Sequence, residues 1–195
     1  MESPPRPSAP REFILENQLG SGAFSQVWLA QHVSLRKKVA IKVISKQSVR
    51  TPKGHSRFIR ETEIQKRVHH PYIASLFYVS ENILHHYLVM EYVNGITLQN
   101  RISNSGHISE FEAQHYFLQI FSAISYLHEK LKVIHRDLKA DNIMIDQNNN
   151  IRLIDFGFAC DIDDDEELRK CCGSPSMKTC FLFFFFFPPS QPKIL

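Results

Sequence analysis

The sequence predicts an α+β fold, and three observations predict it. Between Phe13 and Glu91 short apolar runs are broken by turn signals, the pattern of a small sheet. From Ser109 to Lys130 the apolar residues recur at helical spacing instead, behind a Ser109/Glu112 capping box. Beyond that helix, Ile143–Ile145 and Ile151–Leu153 flank Asn148-Asn149-Asn150 and read as two short strands joined by a turn. The 195 residues suffice for one moderate domain, or two small lobes, with a real core.

Composition narrows the class. A 43% hydrophobic and 22% charged chain is that of a soluble globular protein. A net charge of +3, with no basic patch interleaved with aromatics, argues against a nucleic-acid or anionic-membrane partner. Met1 to Pro10 has no apolar core, so it does not read as a signal peptide. The apolar run from Phe181 to Phe187 is too short for a membrane-spanning helix, which takes about 20 residues. Cys160, Cys171, Cys172 and Cys180 lack C-x-x-C spacing, so neither a disulfide framework nor a zinc site is expected, and the setting is expected to be cytoplasmic.

Taken in order, residues 1–12 carry Pro4, Pro5, Pro7 and Pro10 and are expected to form a disordered tail. Phe13–Leu19 and Val27–Gln31 suit two strands. The stretch Gly20-Ser21-Gly22 between them lets backbone amides approach an anion closely, though it also suits an ordinary hairpin turn. Val39–Ile44 reads as a buried strand with one lysine, Lys42. That charge must be paired, or its head must reach solvent. The helix expected from Arg57 to Val68, ended by His69-His70-Pro71, offers Glu61 and Glu63. Strands Leu76–Ser80 and Tyr87–Glu91 follow, and Gly95 signals a bend out of the second.

In the helix from Ser109, the stripe Ala113, Tyr116, Phe117, Ile120, Ile124 and Leu127 is expected to be core. A polar loop then sets a carboxylate, a lysine and a carboxamide close together at Asp137, Lys139 and Asn142. Asp155-Phe156-Gly157 follows thirteen residues after Asn142, at the far end of the hairpin, so Asn142 and Asp155 can converge. From Asp161 to Glu167 six of seven residues are acids. Their spacing imitates a calcium loop, but Glu166 stands at its glycine and Cys172 at its closing glutamate, so a solvated loop is expected.

Four segments in this order, Gly20 to Val27, Val39 to Lys42, His135 to Asn142 and Asp155 to Gly157, resemble the signature set of the protein kinases. The resemblance runs from Phe13 to about Ser176. Lys139 after His-Arg-Asp-Leu favours the serine/threonine kinases, and Cys172-Gly173-Ser174-Pro175 resembles the calcium/calmodulin-dependent and AMP-activated groups. It implies a two-lobed fold, with residues 13–93 as the N-terminal lobe and 94–176 as part of the C-terminal lobe. It also implies ATP and Mg2+ as cofactors and a protein serine or threonine as acceptor.

By motif position the resemblance makes Asp137 the base, Lys139 a γ-phosphate contact, and Asn142 and Asp155 the magnesium ligands. Lys42 would hold the other phosphates with Glu61 as its partner, and Gly20 and Gly22 would lie over them. Leu19, Val27, Ala40 and Met144 would enclose the adenine, Met90 would stand behind it, and the backbone of Glu91 and Val93 would meet its edge. An acidic Asp141 beside the loop implies a basic residue upstream of the target. The chain departs from the family at Ser25, Ile96, Thr97 and Lys170. Lys170 stands where many relatives carry the loop threonine whose phosphate meets Arg136, and the acids of 161–167 are a possible substitute. From Met177 the agreement ends, and 177–195 is expected to be an aberrant hydrophobic, proline-containing tail.

Overall fold

The computed structural model describes residues 7–22 and 25–170. The readings made on 1–6, on Ala23 and Phe24, and on 171–195 lie outside the described residues. Strands β1 (Phe13–Ser21), β2 (Ser25–His32) and β3 (Lys38–Ser45) lead into helix α1 (Pro52–Arg67), then β4 (Leu76–Glu81) and β5 (His85–Glu91). All five strands form one antiparallel sheet in the order β1-β2-β3-β5-β4. Phe13, Leu15, Trp28, Val39, Ile41, Val43, Tyr87 and Val89 form a core cluster of this sheet. Ile44, Leu88 and Phe58 of α1 form a second cluster, which alternate residues of a strand must supply.

Helix α1 begins five residues before the Arg57 expected from the sequence. Thr51 caps it, accepting from the Gly54 amide at 3.1 Å, and Pro52 occupies the first turn, where its missing N–H costs nothing. Past β5 the chain forms β6 (Gly95–Thr97), α2 (Leu98–Ser105) and α3 (Glu110–Ser125). The Ser109/Glu112 capping box is present. The helix from Ser109 changes character before Lys130, because Tyr126–Leu131 continue as a wider π turn and Lys132 ends it in the left-handed region.

The expected stripe on α3 is only partly core. Tyr116 and Leu127 are buried and Ile120 and Ile124 pack against the same cluster, but Phe117 is 41% exposed. Phe111, Leu118 and Phe121 are exposed as well, so the helix carries more apolar side chains than its neighbours cover.

Short strands β7 (Val133–Ile134), β8 (Ile143–Asp146), β9 (Ile151–Leu153) and β10 (Cys160–Asp161) follow, with a one-turn helix α4 (Asp165–Leu168). β8 and β9 form the expected hairpin and β6 joins them, while β10 pairs with β7. The β6–β8 pairing is backbone to backbone. A Cβ on Gly95 would lie 1.8 Å from the Ile145 carbonyl oxygen, so glycine alone fits there. The parts are stitched together where Leu153 donates to the Tyr72 carbonyl at 2.9 Å and Ala74 to the Leu153 carbonyl at 3.0 Å.

Candidate active site

Two clusters of functional groups form, the first joining the sheet and α1 to Asp155 beyond β9, the second within the loop after β7. In the first, Lys42 projects from β3, where alternation has placed Ile41 and Val43 in the sheet's core. Its ammonium is hydrogen-bonded to Glu61 of α1 and lies 3.4 Å from Asp155 Oδ1. Glu63, the other candidate, instead pairs with Lys66 in solvent at 2.8 Å. Burial lowers the pKa of Lys42, but the Glu61 and Asp155 carboxylates outweigh it and hold the ammonium above its ordinary value. Burial likewise raises Asp155, yet the Lys42 charge and the Gly157 amide, at 3.2 Å, hold its carboxyl below the usual range.

The second cluster is the loop after β7. Asp137 is buried, and its Oδ2 lies 2.9 Å from Lys139 Nζ. Asn142 Nδ2 donates to the same Oδ2 at 3.0 Å and to the Asp137 carbonyl at 2.8 Å. His135, unassigned by the sequence reading, underpins the loop. The Asp137 N–H donates to its Nδ1 at 3.3 Å, so Nε2 carries the proton and donates to the Ile154 carbonyl at 3.2 Å. Burial lowers its pKa, in keeping with that neutral tautomer. Arg136 and Asp155 both take left-handed backbone, with φ of 62° and 61°. For residues with a Cβ such strain costs about 1–3 kcal/mol and is held by surrounding contacts, commonly at functional sites.

The remaining predicted residues differ in burial. Ala40 and Val93 are buried, while Val27, Met90 and Met144 are half-buried; Leu19 is 47% exposed. Ala40 pairs with Met90 across β3 and β5, and Gly20 with Val27 across β1 and β2. Glu91 donates its N–H to the Ser75 carbonyl at 2.8 Å. Thr97 spends its hydroxyl capping α2, accepting from the Asn100 amide at 3.1 Å.

The acids from Asp161 to Glu167 are only in part the solvated loop the sequence suggested: Asp163, Asp165 and Glu166 are exposed, but the others are paired. Arg67 reaches Asp161 at 2.6 Å, and Arg60 reaches Glu167 at 2.8 Å and Asp164 at 3.9 Å. Arg57 donates to the Gly157 carbonyl at 2.8 Å and lies over the Phe158 ring. These α1 arginines were missed. The available signal was a basic helix face in a chain that also carries a dense acidic run.

The residues fit a nucleotide and a hard cation. Open space surrounds the Gly20 Cα, so nothing in the protein requires a glycine there and a phosphate has room. The Asn142 amide nitrogen is committed to Asp137, which leaves its side-chain carbonyl oxygen as the ligand atom, with the Asp155 carboxylate as a second oxygen donor. Two oxygen donors suit Mg2+, which takes the rest of its shell from phosphates and water. Among the described residues no cluster of three or more His, Cys, Asp or Glu can hold a metal, the acidic run included. A separate cavity of about 530 Å³, lined by Lys46, Val49, Arg50, Pro52, His55, Ile83 and His86, contains none of these groups.

An ammonium held between a helix carboxylate and Asp155, together with a buried aspartate steadied by a lysine and an asparagine, is the arrangement that the kinase signature calls for. The Protein kinase domain family matches residues 13–178, and the chain belongs to it. Similar proteins include Serine/threonine-protein kinase SIK2 from Gallus gallus, 39% identical over 171 residues. That alignment takes in 88% of this chain and 21% of the relative, so the chain spans about a fifth of the relative's length. The relative's class agrees with the reading of Lys139. Among the described residues no helix is long and apolar enough to cross a membrane.

Proposed function

We propose that the chain binds magnesium-ATP and transfers the γ-phosphate to a serine or threonine hydroxyl of a protein. The observation that carries this reading is the Lys42 ammonium set between Glu61 and Asp155. A lysine so paired stays charged and fixed in position, ready to hold phosphate oxygens. Asp137 accepts the hydroxyl proton and aims the attacking oxygen. Lys139, now 2.9 Å from Asp137, turns to the γ-phosphate when nucleotide is present. Asn142 and Asp155 hold the magnesium, which neutralises charge on the transferring group. Gly20 and Gly22 lie over the phosphates; the Gly22 amide donates to the Ser25 carbonyl at 2.8 Å, so Gly22 contributes its lack of a side chain rather than a donor.

Leu19, Val27, Ala40 and Met144 enclose the adenine, and Met90 closes the space behind it. With the Glu91 N–H taken by Ser75, the adenine contact at Glu91 falls to its carbonyl, and Val93 supplies the next. Residues 13–93 act as the nucleotide-holding lobe and 94–176 as the catalytic part of the second. Asp141 is exposed beside the loop and supports a basic residue upstream of the target. A cytoplasmic setting goes with this reading, supported by the free, buried Cys160 thiol.

A second reading, a nucleotide-binding module that transfers nothing, rests on the departure of 177–195 from the kinase pattern. One experiment separates them. Millimolar magnesium-ATP raises the melting temperature of the wild-type chain, and Lys42→Met abolishes the rise. Asp137→Asn keeps the rise but abolishes phosphorylation of a basic serine peptide. No rise, or one that Lys42→Met leaves intact, refutes both readings. A rise with no phosphate transfer by the wild type leaves the second.

A further inference from the structure

Glu167 is a charged residue in α4 whose side chain is only 13% exposed. Its Oε1 lies 2.8 Å from Arg60 Nη2 and 2.7 Å from Lys170 Nζ, and its Oε2 lies 3.1 Å from Arg136 Nη2. Three cations from three parts of the chain thus meet one carboxylate. Arg136 also donates to the main-chain carbonyl of Glu167 and, at 2.6 Å, to that of Phe158. Burial raises the Glu167 pKa, but the hydrogen bonds from Lys170 and Arg136 and the charge of Arg60 bring it down to about 2.

Two of these cations matter for their neighbours in sequence. Arg60 immediately precedes Glu61, the partner of Lys42, and Arg136 immediately precedes Asp137. Arg136 holds left-handed backbone, a conformation that persists only where surrounding contacts enforce it. Without the carboxylate, two guanidinium groups would face each other across the gap between helix and loop. Lys170, where a phosphorylatable threonine is absent, is itself bound to Glu166 at 3.0 Å and to Glu167.

We propose that Glu167 is a positioning residue for phosphoryl transfer: its single carboxylate ties the helix presenting Glu61 to the loop presenting Asp137. The helix and the loop are then held in register with no phosphate on the segment after Asp155. This rests on the kinase reading above. A charge-assisted, several-fold contact of this kind orders a segment as an added phosphate does, but it is permanent. The predicted consequence is a kinase whose catalytic groups are aligned as synthesised.

The test compares the full chain with Glu167→Gln, Glu167→Asp, Arg60→Gln and the Glu167→Gln/Arg60→Gln double variant. Steady-state kinetics on a basic serine peptide, melting temperature and amide hydrogen exchange are measured for each. Glu167→Gln should lower kcat about tenfold while changing KM for ATP by less than about threefold, measured at a temperature where the variant, though it melts earlier than wild type, is fully folded. Glu167→Asp should recover most of that loss, and the double variant should be no slower than Glu167→Gln alone. Exchange should quicken within 58–67 and 158–168 in Glu167→Gln but not in Glu167→Asp. An unchanged kcat in Glu167→Gln, or a loss that follows a lower melting temperature and is not recovered by aspartate, overturns the proposal. If the wild type neither binds magnesium-ATP nor transfers phosphate, the proposed function fails and the exchange comparison decides the tie alone. Faster exchange confined to the two segments supports it, and equal exchange in wild type and Glu167→Gln overturns it.

Discussion

Helices α1 and α3 each run sixteen residues and each start from a hydroxyl cap, yet they bury opposite chemistry. α1 buries Glu61, Thr62 and Gln65 beside Phe58 and Ile64, and its arginines reach the segment from Gly157 to Glu167. α3 buries Tyr116, Gln119 and Ala123, while Phe111, Phe117, Leu118 and Phe121 stand 80%, 41%, 59% and 44% exposed. α3 grips the hairpin through polar contacts, with Gln119 accepting from the Ile151 amide at 2.7 Å and Tyr116 donating to Asn149 at 2.5 Å. The difference teaches that burial here follows the job of the helix rather than its hydropathy. The helix that presents chemistry is located by directional charge contacts, which specify one position. The helix that only supports can leave grease outside.

The largest effect that would break this contrast is expected at Glu61. Glu61→Ala strands the half-buried Lys42 charge with Asp155 alone and should cost about 3 kcal/mol, the low end for breaking a buried pair. Glu63→Ala, which removes an exposed pair, should cost no more than about 0.5 kcal/mol. Denaturant unfolding of both variants against the parent measures the gap, and equal costs would contradict the assignment of roles on α1.

A smaller effect, of opposite sign, is expected one turn along. Gln65 is 5% exposed, and among the described residues its Oε1 meets no donor, while its Nε2 faces only the Met90 sulfur at 4.0 Å. Gln65→Met keeps the volume and removes an unpaired acceptor, so it should stabilise by about 1 kcal/mol. A lower unfolding midpoint in that variant would mean the amide has a partner the contrast overlooks. The smallest effect belongs to α3. Phe117, stacked on Phe121, should accept Phe117→Ser within about 0.5 kcal/mol, with less self-association by light scattering. A loss of several kcal/mol would return Phe117 to the core.

The same contrast explains which features were readable beforehand. A lysine in an apolar strand demands a partner, and the kinase resemblance named Glu61, which is the residue found beside it. Asp137, Lys139 and Asn142 lie within six residues of one another, so their meeting in a single loop needed no long-range information. The start of α1 was missed because its apolar period begins only at Phe58, while Thr51 and Pro52 signal the cap by chemistry instead. α2 has only Leu98 and Ile102 as apolar residues, both part-exposed, too short a stripe to read as a helix. Phe117 was taken for core because helical spacing identifies a face but not whether anything covers it. The acidic run looked solvated because its cations at Arg60 and Arg67 lie about a hundred residues upstream, beyond the reach of any local pattern.

Gly95 has a mechanical consequence. Its backbone is pressed against Ile145 closely enough to exclude a side chain, so the chain is riveted to the catalytic hairpin from that residue onward. Four residues earlier Glu91 is riveted too, its carboxylate 3.2 Å from Arg152 Nε and from the Ser75 amide. Arg152 belongs to β9, so both rivets fasten to one hairpin, and Tyr92, Val93 and Asn94 form a short strap between them. Four Cα steps reach at most about 14 Å, too little for one half of the molecule to slide along the other. A strap fastened at both ends holds the last residue of β5 against the hairpin whose two ends carry Asn142 and Asp155, so the spacing between sheet edge and hairpin is set by covalent length rather than by side-chain packing.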